Sequence, residues 1–82
     1  MTDREFMELA LIEAEKAYKE GEIPIGALVV CDGVIVATAH NEKEQRKDPT
    51  AHAEVIALRK AASHLKRWRL TGCTLYVTIE PC

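Results

Sequence analysis

The chain has 82 residues, of which 48% are hydrophobic and 29% are charged, with a formal net charge of −2 at pH 7. This balance is typical of one small globular domain and excludes a disordered chain. The longest nearly apolar run, residues 23–31, contains a proline and a glycine. Since a membrane helix needs roughly 20 apolar residues, we expect no membrane partner.

The N-terminus and the cysteines bear on location. The first five residues lack the basic start and apolar core of a secretory signal, so a cytoplasmic protein is expected. Three unevenly spaced cysteines do not suggest a disulfide framework, and we expect Cys31 and Cys73 to be reduced and buried. The net charge of −2 provides no global attraction to nucleic acid, so an RNA partner would need a local basic patch.

A helix is predicted near the start of the chain. Thr2 and Glu5 have the spacing of a capping box, and apolar residues then recur every three or four positions from Phe6 to Ala17. Gly21 is expected to end this helix, because glycine adopts the left-handed cap conformation without a steric penalty.

Two strands and a loop follow. Residues 27–31 and 34–39 are rich in β-branched side chains, and the Asp32-Gly33 pair between them favours a tight hairpin turn. The polar segment 41–50 is predicted to be a loop, and Pro49 favours a helix entrance just beyond it.

A second helix is predicted over residues 51–65, then a buried strand over 74–79, and Pro81 is suited to open a third helix. The fold class is therefore α/β, with a β-hairpin, flanking helices and one further strand. Because crossover connections normally join parallel strands, we expect the last strand to lie parallel to a neighbour.

Chemically active residues stand at two of the predicted helix starts. His52 and Glu54 begin the second helix, and Cys82 begins the third. The partial positive charge of a helix N-terminus favours a neutral imidazole and a thiolate, the forms in which His and Cys bind Zn²⁺. At the helix end Glu54 can reach round the first turn toward a water on the metal.

This His-x-Glu and later Pro-Cys pattern resembles the signature of zinc-dependent nucleobase deaminases. Within that superfamily, bacterial tRNA-specific adenosine deaminases are the most similar, through residues 22–27, Asn41, residues 48–54 and residues 74–82. The resemblance covers nearly the whole chain. It implies that residues 1–82 are the N-terminal part of a single deaminase domain, with part of a cytidine-deaminase-like three-layer sandwich.

The resemblance also implies an activity and a set of site residues. The activity is hydrolytic deamination of adenosine to inosine at the wobble position of a tRNA anticodon loop, by a protein that is a homodimer at full length. The implied residues are the zinc ligands His52 and Cys82, the general acid and base Glu54, the base-contacting Asn41, and the pocket-wall residues Ile23 and Pro24.

The sequence departs from the family pattern at one place. That pattern is Pro-Cys-x-x-Cys, whereas these 82 residues stop at its first cysteine. Two protein ligands then remain where a catalytic zinc normally has three and a water. We therefore expect a truncated chain that is inactive by itself.

Several alternatives stay open. The protein could deaminate free nucleobases such as guanine or cytosine, or it could be a noncatalytic zinc-binding module. Asn41 could be an ordinary turn residue, and His40 and His64 are expected at the surface or in hydrogen bonds. The basic residues around Trp68 could contact RNA or form an ordinary solvated helix surface, with the tryptophan in the core.

Overall fold

The computed structural model describes residues 1–78, which form helices on both faces of a three-stranded sheet. The elements are α1 Asp3–Lys19, β1 Gly26–Cys31, β2 Val34–His40, α2 Lys43–Arg46, α3 Ala53–Leu65 and β3 Cys73–Val77. The third predicted helix, at Pro81, lies outside the described residues. Across residues 1–78, every helix is too short or too polar to span a bilayer.

The start and end of α1 follow the local signals in the sequence. The Glu5 backbone N–H donates to Thr2 Oγ1 at 3.3 Å, and the Thr2 N–H donates to Glu5 Oε1 at 2.9 Å. This reciprocal pair confirms the predicted capping box. Gly21 follows the last turn with a φ of +81°, which confirms the expected left-handed end.

The hairpin of β1 and β2 is also confirmed. Asp32 and Gly33 both have positive φ angles, 51° and 76°, as the tight turn between antiparallel strands requires. The pairing runs from Gly26 opposite His40 to Cys31 opposite Val34. The polar loop after β2 contains one feature that was not predicted, the short helix α2.

The position of β3 corrects one expectation. β3 pairs with β1 and runs antiparallel to it, so within residues 1–78 the strand order is β2-β1-β3. The crossover through α3 does bring β3 back in the same direction as β2, because both strands are antiparallel to β1. However, β1 lies between the two, so β3 is parallel to β2 without being its neighbour.

The sheet is the middle layer of the expected three-layer sandwich. β1 is buried along its whole length, and its side chains alternate between two cores. Leu28 and Val30 pack with Phe6 of α1 on one face, while Val29 packs in the cluster that contains Ile56 of α3 on the other. The described residues thus form the expected α/β sandwich of three layers.

Gly26 allows α1 to lie unusually close to the sheet. A Cβ atom added at Gly26 would overlap the carbonyl oxygen of Ala10 and would stand 2.6 Å from the backbone nitrogen of Ala14. Both are backbone atoms, so no side-chain rotation could relieve the overlap. The close approach of helix and strand therefore depends on glycine at this position.

Cys31 and Cys73 are directly opposite each other in the β1–β3 register and form a disulfide, with their Cα atoms 4.1 Å apart. The expectation of two reduced, unpaired thiols is therefore wrong for this structure. The pairing was hidden because it depends on β3 lying beside β1, which the sequence did not indicate.

Candidate active site

Three chain segments converge at one end of the sheet, where β1 begins and where β2 and β3 end. The Asn41 backbone N–H, just after β2, donates to the Ile25 carbonyl at 3.1 Å. On the other side of β1, the Thr78 N–H donates to the Gly26 carbonyl and the Gly26 N–H donates to Thr78 Oγ1, both at 2.9 Å. This end of the sheet carries the candidate site.

The side chain of Asn41 joins this end of the sheet to α3. Asn41 is 1% exposed, and its Oδ1 accepts a hydrogen bond from the Ala53 backbone N–H at 2.7 Å. Ala53 is the first residue of α3, so Asn41 satisfies one of the free donors of the helix start from twelve residues away. The bond also fixes the orientation of the amide, with Nδ2 directed away from Ala53.

His52 and Glu54 lie on either side of that hydrogen bond. His52 is the N-cap of α3 but makes no capping bond with its side chain, and Glu54 is in the first turn. Their side chains are 41% and 37% exposed, and His52 Nδ1 is 3.7 Å from Glu54 Oε1. The two groups therefore share one solvent-accessible region at the positive end of the helix dipole.

A tight turn leads the chain into His52. Asp48 Oδ1 accepts from the backbone N–H of Thr50 at 2.8 Å and from its hydroxyl at 2.7 Å. These hydrogen bonds from Thr50 lower the pKa of Asp48. The turn closes where the Ala51 carbonyl accepts from the Glu42 N–H at 3.0 Å, so both ends of the loop are held together.

Glu22 is a structural residue of this region whose role the sequence did not indicate. The residue is 5% exposed, and its carboxylate accepts from the backbone N–H groups of Glu44 and Gln45, at 3.0 and 2.8 Å. These are free donors in the first turn of α2. A glutamate between a glycine and an apolar run is the only sequence signal for this role, and it does not identify partners 22 and 23 residues away.

His40, the last residue of β2, belongs to a polar network with side chains of α1, its C-cap and α2. Its Nδ1 is 3.2 Å from Glu13 Oε1 and its Nε2 is 2.8 Å from Glu20 Oε1, while Gln45 Nε2 donates to the same Glu20 oxygen at 2.6 Å. The expected hydrogen-bonded role of His40 is therefore confirmed. The network connects α1, β2 and α2.

The remaining site residues lie in or beyond the loops. Ile23, which is 41% exposed, and the half-buried Pro24 lie in the loop that enters β1, just before Ile25, whose carbonyl accepts from the Asn41 N–H. Cys82, the second predicted zinc ligand, lies outside the described residues. Over residues 1–78, no three His, Cys, Asp or Glu groups form a cluster that could hold a metal ion.

The comparison with protein families decides where this architecture belongs. A family model described as the cytidine and deoxycytidylate deaminase zinc-binding region matches residues 1–82. The chain belongs to the cytidine and deoxycytidylate deaminase family. The superfamily expected from the His-x-Glu and Pro-Cys pattern is thus confirmed.

Relatives of this deaminase chain include tRNA-modifying enzymes. The tRNA-specific adenosine deaminase of Aquifex aeolicus (strain VF5) is 51% identical over 77 residues, which are 94% of this chain and 51% of the relative. The chain spans about half the length of the curated relatives it matches.

Two solved deaminase structures superpose closely. One, from work on A-to-I editing by tRNA:A34 deaminases at the wobble position of transfer RNA, has a TM-score of 0.90 and 48% identity, over 96% of this chain and 57% of that one. The other, guanine deaminase from Bacillus subtilis, has a TM-score of 0.92 and 41% identity, over all of this chain and 53% of that one. The fold is therefore shared by RNA and free-base deaminases.

Proposed function

We propose that this deaminase chain serves zinc-dependent hydrolytic deamination of adenosine to inosine at the wobble position of tRNA, with the anticodon loop as substrate. The observation that carries the proposal is the hydrogen bond between Asn41 and Ala53, which holds an amide beside His52 and Glu54. The identity to tRNA-specific adenosine deaminases supports this substrate class.

The donor set at the site suits zinc. His52 offers an accessible imidazole whose nitrogens make no hydrogen bond to residues 1–78, and an imidazole nitrogen is a common zinc ligand. Cys82 follows Thr78, at the same end of the sheet as Asn41, by four residues in the sequence. We propose His52 and Cys82 as zinc ligands, and the chemistry supplied by the ion would be activation of a water at neutral pH.

Glu54 is the proposed general acid and base. Its carboxylate lies in the first turn of α3 and is partly open to solvent, 3.7 Å from the imidazole of the proposed ligand. There it can accept a proton from the attacking water and donate a proton to the amino group that leaves C6 of the purine as ammonia. A purely structural metal site would not need this carboxylate.

Asn41, Ile23 and Pro24 are the proposed substrate contacts. Because Asn41 Oδ1 is engaged with Ala53, its Nδ2 remains the group available to donate to an acceptor on the base. Ile23 and Pro24 offer apolar surface in the neighbouring loop for the face of the base. The pocket would then combine one oriented amide with an apolar wall.

The test uses a full-length protein that contains these 82 residues. It is incubated with tRNA and with free adenosine, guanine and cytosine, and inosine or ammonia is measured. Glu54→Ala should abolish inosine formation while zinc content stays unchanged, and Glu15→Gln, which alters an exposed carboxylate on α1, is the matched control. Deamination that survives Glu54→Ala would remove the catalytic assignment.

A second candidate function is deamination of a free purine. The superposition on Bacillus subtilis guanine deaminase, at 41% identity, favours it specifically. Turnover of free guanine without turnover of tRNA in the same assay would establish this function and exclude the first.

The assembly and location of the protein are also proposals. We propose that residues 1–82 form the N-terminal part of one deaminase domain, and that the full-length protein is a cytoplasmic homodimer. Sedimentation analysis of the full-length protein would measure its mass directly, and a monomer at assay concentration would contradict the dimer.

A further inference from the structure

Charge is strongly segregated along the chain. Residues 55–78 contain no aspartate or glutamate. Of the 13 acidic residues in the sequence, all but Glu80 lie within residues 1–54. The same segment, 55–78, carries five arginines and lysines. The net charge of −2 therefore conceals a locally basic region, and such an asymmetry points to a polyanionic partner.

Two of these cations, Arg59 and Lys60, lie in the middle of α3, and the other three lie at its C-terminal end and in the turn that follows. All are exposed, and within residues 1–78 none forms an ion pair with a carboxylate. An ordinary solvated helix surface usually interleaves both signs of charge, as α1 does. We call this region the Trp68 surface: Arg59, Lys60, Lys66, Arg67, Trp68 and Arg69.

Trp68 itself is not in the core. It is 79% exposed, and the guanidinium of Arg69 lies 4.9 Å from the centre of its ring. The helix ends at Lys66 in a left-handed conformation, with a φ of 56°, and Arg67 is held by hydrogen bonds to Thr71. The turn therefore presents an aromatic face between two arginines.

We propose that the Trp68 surface binds RNA, with its cations on backbone phosphates and the Trp68 ring stacked on an unpaired base. An acidic peptide would satisfy the cations but not the exposed indole, whereas unpaired RNA offers phosphates and flat aromatic bases together. This inference rests on the proposed tRNA function and adds a contact surface to it. Since α3 has 13 residues and rises about 1.5 Å per residue, the end of the surface that carries Trp68 lies about 20 Å from His52.

That separation defines the role of the surface. The nucleotide that reacts would be held at the N-terminal end of α3, so the Trp68 surface would contact other nucleotides. It would contribute to affinity and to the choice of looped over paired RNA, without taking part in the chemistry.

The experiment measures binding apart from catalysis. A full-length protein carrying Glu54→Ala is titrated by fluorescence anisotropy with a labelled RNA stem-loop and with a fully paired RNA of equal length, over a range of salt concentrations. The variants are Trp68→Ala and the double variant Arg67→Ala/Arg69→Ala. The matched control, Arg4→Ala/Lys19→Ala, removes two exposed cations from α1.

Trp68→Ala should weaken binding of the stem-loop roughly 10-fold and change binding of the paired RNA much less. Loss of the two arginines should weaken binding of both RNAs. For single-stranded segments, it should also reduce the steepness of log affinity against log salt by about 1.4. Circular dichroism should show unchanged folding, because all three side chains are exposed.

Two outcomes would overturn the proposal. The first is stem-loop binding by Trp68→Ala or by the arginine variant that equals that of the unchanged protein. The second is an equal loss in the α1 control, which would indicate general attraction of a polyanion. Failure of tRNA deamination with intact binding of the stem-loop would instead reject the proposed reaction and leave this surface in place.

Discussion

Oδ1 of Asn41 accepts the backbone N–H of Ala53 at 2.7 Å, so the residue that ends the hairpin also caps the helix bearing His52 and Glu54. One side chain thus couples the sheet to the helix of the proposed site. Its second functional group, Nδ2, is the proposed contact to the base, and the two roles can be separated by substitution.

Asn41→Ala should lower the free energy of unfolding by about 1–3 kcal/mol, because it leaves a buried N–H without an acceptor. Asn41→Asp keeps an acceptor oxygen at a helix N-terminus and should retain most of the stability while losing deamination, since it removes the amide donor. Urea unfolding and an inosine assay measure the two effects. Full activity in Asn41→Asp would show that the amide does not contact the base.

Glu22→Gln should destabilise the loop that precedes His52. The carboxylate accepts two backbone N–H groups of α2, and an amide offers only one oxygen while its NH₂ opposes the second donor. We expect a loss of about 1–3 kcal/mol together with faster hydrogen exchange at Glu44 and Gln45. Glu44→Gln, at an exposed position, is the control, and an equal effect there would contradict the capping role.

Gly26→Ala should be far more damaging than Gly21→Ala. At Gly26 the added methyl group would overlap backbone atoms of α1, and we expect a loss above about 3 kcal/mol. At Gly21 the space is open and only the left-handed backbone conformation is penalised, by about 1 kcal/mol. Chemical unfolding of both variants measures the difference, and equal losses would refute the close approach of α1 to β1.

Acid should weaken the network around His40. Burial raises the pKa of Glu13, but hydrogen bonds with Lys16 and His40 outweigh it and leave this pKa below 4.5. Hydrogen bonds from Gln45 and His40 lower the pKa of Glu20 in the same direction. Because both folded-state values are depressed, their stabilisation is present above about pH 4.5 and is lost as the pH falls through the folded pKa values.

His40→Gln should therefore make unfolding less dependent on pH below about 4.5, since it removes a partner of both carboxylates. Circular dichroism during acid titration follows the transition. The control is His64→Gln at an exposed position on α3. The His64 variant should unfold over the same acid range as the unchanged protein. If the His40 variant does so as well, the network does not contribute to the pH dependence.

The helices and strands could be predicted from signals within a few residues of each other. The strand order and the disulfide could not, because they depend on contacts between distant parts of the chain. The Thr2 and Glu5 capping box and the Asp32-Gly33 turn act within a few residues, so their chemistry is readable along the chain. The β1–β3 pairing joins Cys31 to Cys73 across 42 residues, and many strand orders satisfy the same alternation of apolar residues.

The site shows the same division. His52 and Glu54 could be placed at a helix start from the sequence, because they closely follow Pro49 and precede the apolar repeat of the second helix. The side chains that cap the two helices act from a distance in the sequence. Asn41 caps α3 from 12 residues away, and Glu22 caps α2 from 22 residues away. Only coordinates reveal such remote caps, since Asn and Glu are common in loops for other reasons.

β1 has neighbours on all four sides, a strand along each edge and a helix over each face. Solvent can reach its amide hydrogens only after an outer element has moved away, so Val29 should exchange its amide proton among the slowest in the protein. The outer strands and loops can fluctuate while this inner strand keeps its alignment. The stability of β1 thus allows the outer strands and the loops to move without loss of the fold.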